Sequence, residues 1–499
     1  MGSSTTPPSP DPAALLRSRR YVGLLVLAAI LGVPVSAAAY GFLALVSGLQ
    51  EWLYTDLPQA LGLDNTPLWW PLPLLALAGL LVGLTIGRLP GRGGHSPADG
   101  FKAGGVPSPV DLPGIAIAAL VTLSLGAVLG PEAPLIALGA GLAALAVRLA
   151  RRDVPEQATA VVAAAGSFAA ISTLLGSPLL GAFLLMEASG LGGAALGLVL
   201  VPGLVAAGVG SLIFVGLDSW TGLGTFSLAV PDLPPFPHPD LAQFGWALVI
   251  GVAAAVVGTS IHRLALLVRP HVERRLLLLT PLVGVVVALL AMAFAKASGH
   301  DVSEVLFSGQ DALGPLIGQA ADYSAGALVL LVACKGLAYS VSLAGFRGGP
   351  VFPAMFLGAA GGIALSHLPG LPMVAGVAMG IGAMSVTMLR LPLTSVLLAT
   401  LLLAEDGLTV MPLVIVAVAV AYVASARLTP LPPPQDGVQD GEPADRSGDA
   451  STSTAESRQP LGRQTLTSLP TAVTRNSWPR SASRTARLWP GLPAGTRSP

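Results

Sequence analysis

Residues 130–143 read GPEAPLIALGAGLA, and residues 349–362 read GPVFPAMFLGAAGG. Laid side by side without gaps, they share Gly130/Gly349, Pro131/Pro350, Pro134/Pro353, Leu138/Leu357, Gly139/Gly358 and Ala140/Ala359. A second pair of matches lies downstream: Pro178-Leu179 in SPLLGAFLLMEA, and Pro392-Leu393 in LPLTSVLLATLLLAED. The two offsets, 219 and 214 residues, nearly agree. Biased use of Gly, Ala and Pro is the bland explanation. The shared spacing favours two structurally related halves, about 21–216 and 241–428. Transporters built from such repeats hold their site near the membrane midplane, where the halves meet.

Composition sets the surroundings of these segments. Only 10% of the 499 residues are charged, against roughly 25% in soluble domains. Hydrophobic residues make up 53%, and mean hydropathy is +0.75. A soluble protein of this size could not cover its surface with so few charges, so the chain reads as an all-α integral membrane protein with many spans. The 26 basic and 26 acidic residues balance, leaving no excess charge to neutralise phosphates; a nucleic-acid partner is excluded. The single cysteine, Cys334, allows no disulfide within the chain. Sixty glycines and 44 prolines are too many for a plain bundle of long helices. They suit broken or re-entrant helices that line a cavity.

Along the chain, Arg17, Arg19 and Arg20 precede an apolar run over 21–48. The positive-inside rule predicts a cytoplasmic N-terminus, with residues 1–20 disordered. Further apolar segments follow to residue 428, several shorter than the ~20 residues a full span needs. Short segments bounded by Gly and Pro predict half-helices that meet inside the membrane. The longest polar interruptions fall at 217–240 and 298–323. From 429 to 499 the composition turns to Pro, Ser, Thr, Arg and Gly, which predicts a disordered tail.

Each Gly-Pro segment stands just before a predicted helix. Proline suits the first helical turn, where no N–H is needed. Glycine lets the backbone turn sharply and approach a ligand closely. A helix that starts inside the apolar zone points its free N–H groups inward and presents about half a positive charge. Two such ends, one from each half, predict a site for one small anion held without a full cationic side chain. Glu132 lies in the first segment. An ionisable group inside a span costs about 2.5–3.5 kcal/mol on insertion scales, which marks it as functional. Its carboxylate either mimics the anion and gates the site, or simply caps the helix.

Glu187, in AFLLMEAS, either faces an aqueous vestibule or makes a buried hydrogen bond. Lys335, in VACKGLA, either adds positive potential to the anion path or snorkels to an interface. His262, beside Arg263, reads as a satisfied helix histidine rather than a ligand. No catalytic dyad, phosphate loop or metal-ligand spacing is present, so neither an enzyme nor a cofactor is expected.

These segments resemble those of the CLC family of chloride channels and proton–chloride antiporters, over about 90–428. GPEAP at 130–134 is similar to the family's G-R/K-E-G-P, which makes Glu132 the counterpart of its gating glutamate. GGPVFP at 348–353 is similar to G-G-x-F-x-P, and GGHSP at 93–97 sits where the family has G-S-G-x-P. The resemblance implies an inverted-repeat helical bundle that works as a homodimer, with one anion path per subunit. The Ala, Gly, Pro and Arg bias points to a GC-rich bacterial genome, so the expected location is a bacterial cell membrane. The resemblance assigns anion binding to Gly130, Ala133, Gly349, Val351 and Phe352 at the two tips, and to Gly94 and Ser96 in the loop.

Departures stand beside the likeness. Aligned on Pro97, the loop serine falls on Gly94, with Ser96 two residues later. Pro131 replaces a basic residue, Pro350 lacks an N–H that the family uses, and Val351 takes a phenylalanine position. The family's late tyrosine has no counterpart, since Tyr422 lies well upstream. The internal proton-transfer glutamate falls on Ala188, next to Glu187. The expected function is therefore channel-like conduction of chloride or a similar anion. Proton-coupled halide antiport is the alternative, and a scaffold or intramembrane enzyme a third reading.

Overall fold

Helix ends in this chain are set by local chemistry, and the fold follows from where they fall. The computed structural model describes residues 17–429, except 64–65, 103–104, 151–155, 229, 231–233, 237 and 404–405. The expected tail from 430, and the expected disorder over 1–16, lie outside the described residues. The expectation of disorder extending to residue 20 is corrected. Ser18 Oγ accepts the Tyr21 N–H at 3.1 Å and starts helix α1 at Arg19.

Fifteen helices of nine residues or more follow among the described residues. In the first part these are α1 (Arg19–Glu51), α2 (Pro71–Arg88), α3 (Leu112–Ser124), α4 (Glu132–Ala150), α5 (Glu156–Ala170), α6 (Pro178–Ser189) and α7 (Gly193–Thr221). In the second they are α8 (Leu241–Arg274), α9 (Leu276–Ser298), α10 (Gln310–Gly318), α11 (Ala325–Gly345), α12 (Val351–Ser366), α13 (Met373–Leu389), α14 (Pro392–Leu402) and α15 (Gly407–Leu428). A turn of π-helix, Trp52–Asp56, extends α1 to Ala60. Eight of the helices are long and apolar enough to cross a membrane. The short α10 occupies the middle of the 298–323 stretch, where its polar residues gave no helical signal.

Starts and stops obey simple rules. Proline opens α2, α6 and α14, where its fixed φ is already helical. Asp240 and Gln243 form a reciprocal capping box on α8. Left-handed glycines, Gly190, Gly222 and Gly299, end α6, α7 and α9.

Glycine also sets the packing. A Cβ at Gly358 or Gly362 would strike the backbone of Gly380 or Gly376, so α12 and α13 touch through their main chains. Gly139 and Gly166 bring α4 and α5 together in the same way. Gly79 and Gly284 do so for the antiparallel α2 and α9. Small residues at such crossings allow the close approach that drives helix association in lipid. Every residue of α13 from Val374 to Leu389 is buried. The outer helices α1, α7, α8 and α9 expose Ile30, Leu212, Leu248 and Leu278, a surface suited to lipid. At about 1.5 Å per residue, the 16 residues of α12 cannot cross a ~30 Å hydrocarbon layer. It begins among buried residues, as the Gly-Pro segment predicts.

Candidate anion site

The two Gly-Pro segments meet. Gly130 N–H donates to Gly349 O at 2.8 Å, and Gly349 N–H donates to Gly130 O at 2.6 Å, a single antiparallel bridge between the halves. The bridge sets the starts of α4 and α12 side by side. The amides of Gly130 and Gly349, residues that the resemblance assigns to anion binding, are engaged by one another and brace the tips. Neither position admits a Cβ, because that atom would overlap the Glu132 carboxyl.

Each tip carries the same proline bracket: Pro131-Glu132-Ala133-Pro134 and Pro350-Val351-Phe352-Pro353. Proline has no N–H, so only the two residues inside each bracket offer first-turn amides. Glu132 fills the space between the tips. It is fully buried, and its Oε1 accepts the Val351 N–H at 2.5 Å. Its Oε2 has no hydrogen-bond partner. Phe352 packs beside Gly130, and Val351 is fully enclosed. Ala133 is half-buried on the first turn of α4.

Neighbouring segments hold this arrangement from several sides. Gln50 Nε2 donates to Leu123 O at 2.8 Å, and Tyr54 OH to Leu125 O at 2.8 Å. Phe307 N–H donates to Gly126 O at 3.2 Å. The buried face of α11 supplies the rest through Lys335, Tyr339 and Ser342, one and two turns apart. Ser342 Oγ accepts the Val128 N–H at 3.2 Å, and Tyr339 OH donates to Pro350 O at 2.9 Å. Lys335 Nζ donates to the carbonyls of Glu304, Val305 and Leu306 at 2.8, 3.2 and 3.0 Å, and lies 4.4 Å from the centre of the Phe356 ring. Lys335 is fully buried. The snorkelling alternative is thereby corrected: backbone oxygens, not interfacial water, receive its charge. Tyr339 carried no signal of its own in the sequence. Its spacing of four from Lys335 and three from Ser342 was the available one, a polar stripe on an apolar helix.

Glu187 stands elsewhere. Its Oε1 accepts the Leu393 N–H at 2.9 Å, and its Oε2 accepts the Thr394 N–H at 2.7 Å and the Thr394 hydroxyl at 2.6 Å. It caps α14 across the two halves and is only partly buried, so its hydrogen bonds are made without full enclosure. Gly94 and Ser96 belong to a separate loop. Gly94 holds φ at 92°, a conformation that side chains resist. Ser96 Oγ is buried without a partner. His262 Nε2 bonds Ala98 O at 3.1 Å, the satisfied state expected of it.

A buried bridge between two helix starts, with one carboxylate seated on it, is where comparison with known proteins becomes informative. The family model of voltage-gated chloride channels matches residues 97–426. The chain belongs to the CLC family. Its CLC segment is 30% identical over 364 residues to YfeO of Escherichia coli strain SMS-3-5, named as an ion-transport protein. That match covers 71% of this chain and 82% of YfeO. A cyanobacterial Cl−/H+ antiporter shares the CLC fold with a TM-score of 0.63 at 19% identity, covering 81% of this chain and 94% of that one. A CLC-type fluoride/proton antiporter gives 0.54 at 20% identity, covering 81% and 96%. The protein is thus a multi-span membrane member of an anion-transporting family.

Proposed function

We propose that the protein conducts chloride or a similar small anion passively across a bacterial cell membrane, with the Glu132 carboxylate as its gate. One observation carries this reading: the carboxylate sits on the Val351 amide, between two helix tips, in a fully buried space. Swinging it away frees that amide, with those of Ala133 and Phe352, for a mobile anion. Their partial charges hold a halide without trapping it. The work is divided between two copies, each with its own path. The end carrying Arg19, Arg88, Arg92, Arg274 and Arg275 faces the cytoplasm by the positive-inside rule.

Conduction without proton exchange is favoured by Ala188, which offers no carboxylate where the family's antiporters carry one, and by Glu187, whose oxygens are engaged on α14. Antiport is supported by the descriptions of the two solved neighbours as proton-coupled. Purified protein in liposomes decides, with chloride and proton flux followed together. Chloride is expected to move without a linked proton current, and Glu132→Gln is expected to remove the pH dependence of that flux. Uphill proton movement driven by a chloride gradient makes the protein an antiporter. Unaltered flux and pH dependence in Glu132→Gln remove the gate, and absence of any chloride or fluoride flux overturns the whole reading.

A further inference from the structure

A proline precedes each helix tip, and the two proline carbonyls are held differently. Pro131 O accepts the Leu135 N–H of its own helix at 3.0 Å. Pro350 O accepts a side chain from another helix, the Tyr339 hydroxyl of α11, at 2.9 Å. Tyr339 is fully buried, so bulk water does not compete for this bond.

Pro350 O belongs to the same peptide unit as the Val351 N–H, the amide on which the Glu132 carboxylate sits. The unit is trans, and in a trans peptide the C=O and N–H point to opposite sides of the chain. One flat group therefore has the phenol on one edge at 2.9 Å and the carboxylate on the other at 2.5 Å. A proline ring restricts φ but leaves ψ free. The ψ of Pro350, −5°, sets the plane of this peptide. Nothing in the ring stops that plane from turning; the bond to the phenol does. Hydrogen bonds in such a chain also polarise one another. A donor on the carbonyl oxygen draws electron density from the nitrogen and strengthens the N–H on the far edge.

We propose that Tyr339 is the positioning residue of the second tip: its hydroxyl orients and polarises the Pro350–Val351 peptide, and so sets how firmly the Val351 amide grips the Glu132 carboxylate or a halide in its place. Tyr339 acts through the main chain. Other ionisable groups around the carboxyl do not take this part. The helix α12 has none, and on α4 the next after Glu132 is Arg148. Lys335, one turn before Tyr339, is committed to the carbonyls of 304–307. Arg347, before the bridge, donates to Arg92 O and Phe346 O. The effect on the carboxylate follows from the geometry alone; the effect on transport rests on the gate reading above.

Infrared titration of the full-length protein in detergent and halide-free buffer tests the positioning. The protonated-carboxyl band of Glu132 is assigned by its loss in Glu132→Gln. Tyr339→Phe removes only the hydroxyl. It is expected to weaken the grip about threefold and to move the midpoint of the band about half a pH unit upward. Ser342→Ala removes another hydroxyl of the same helix face, one that accepts the Val128 N–H, and is expected to leave the midpoint in place. Ortho-fluorotyrosine in place of Tyr339 is a stronger donor and is expected to move the midpoint downward. An unmoved midpoint in Tyr339→Phe, or an equal move in Ser342→Ala, overturns the positioning role. If Tyr339→Phe does not fold, the fluorinated protein decides, and a midpoint that stays or rises overturns the role. In liposomes the pH of half-maximal chloride flux is expected to follow the band. A moved band with an unmoved flux profile sinks the gate reading and leaves the positioning role standing.

Discussion

Glu132 and Val351 belong to different halves of the chain, 219 residues apart, and are joined by a 2.5 Å hydrogen bond from the Val351 amide to the Glu132 carboxylate. The bond is possible because Gly349 has no side chain. A Cβ there would fall on the carboxyl group itself. Gly349 does not hold a positive φ, so alanine is conformationally acceptable at this position and its methyl meets the Glu132 carboxyl first. Gly349→Ala is expected to push the carboxylate off Val351 and raise chloride flux at alkaline pH toward that of Glu132→Ala. Folded Gly349→Ala liposomes with wild-type flux would contradict the seating of the gate.

Glu187 gives a sharper division between structure and transport. Its carboxylate receives three hydrogen bonds from Leu393 and Thr394 at the start of α14. Loss of such a cap costs about 0.5–2 kcal/mol. Glu187→Ala is therefore expected to lower thermal stability in detergent while chloride flux per folded molecule stays within twofold of wild type. Selective loss of a proton current, with stability unchanged, would instead place Glu187 on a proton route.

Lys335 holds a run of backbone carbonyls over 304–307. Charge-assisted hydrogen bonds contribute about 1.5–3 kcal/mol each at most, and they do not add fully when one group makes them all. Lys335→Met is expected to destabilise the protein by about 3 kcal/mol, measured by denaturant unfolding in detergent. A variant as stable as wild type would show that these carbonyls are satisfied in another way.

Glu304 stands in the polar stretch before α10. Burial, the largest influence, raises its carboxyl above the usual range; the Tyr323 hydroxyl, His300 and Lys335 oppose the rise, and Asp301 adds to it. A carboxyl with a raised folded pKa holds its proton more tightly folded than unfolded. The stability it contributes is whole below the unfolded value and is lost as pH climbs through the folded one. The melting temperature of Glu304→Gln is expected to fall less than that of wild type between about pH 4 and about pH 8. Parallel curves would show that ionisation of Glu304 does not couple to folding.

The helix tips were legible because their chemistry is local: Gly, Pro and the spacing of the prolines specify the turn, the helix start and the missing amides without any partner. The glycine pairs on α12 and α13 were not picked out, although Gly358 and Gly362 repeat at the helical spacing of Gly376 and Gly380. Arg347 was not either. Its amide and its Nε donate to Thr122 and to the carbonyl of Arg92, 225 and 255 residues away. Glu187 stood between two readings for the same reason, as its donors lie 206 and 207 residues downstream. Residues whose partners come from the other half carry no periodic signal; only the folded chain pairs them.

The proline brackets have one more effect. What would grip an anion at Ala133, Val351 and Phe352 is main chain, which no codon change at those positions can delete short of another proline. Mutation could therefore retune such a grip only from its surroundings, for instance at the acid seated between the tips, while the grip itself is inherited with the fold.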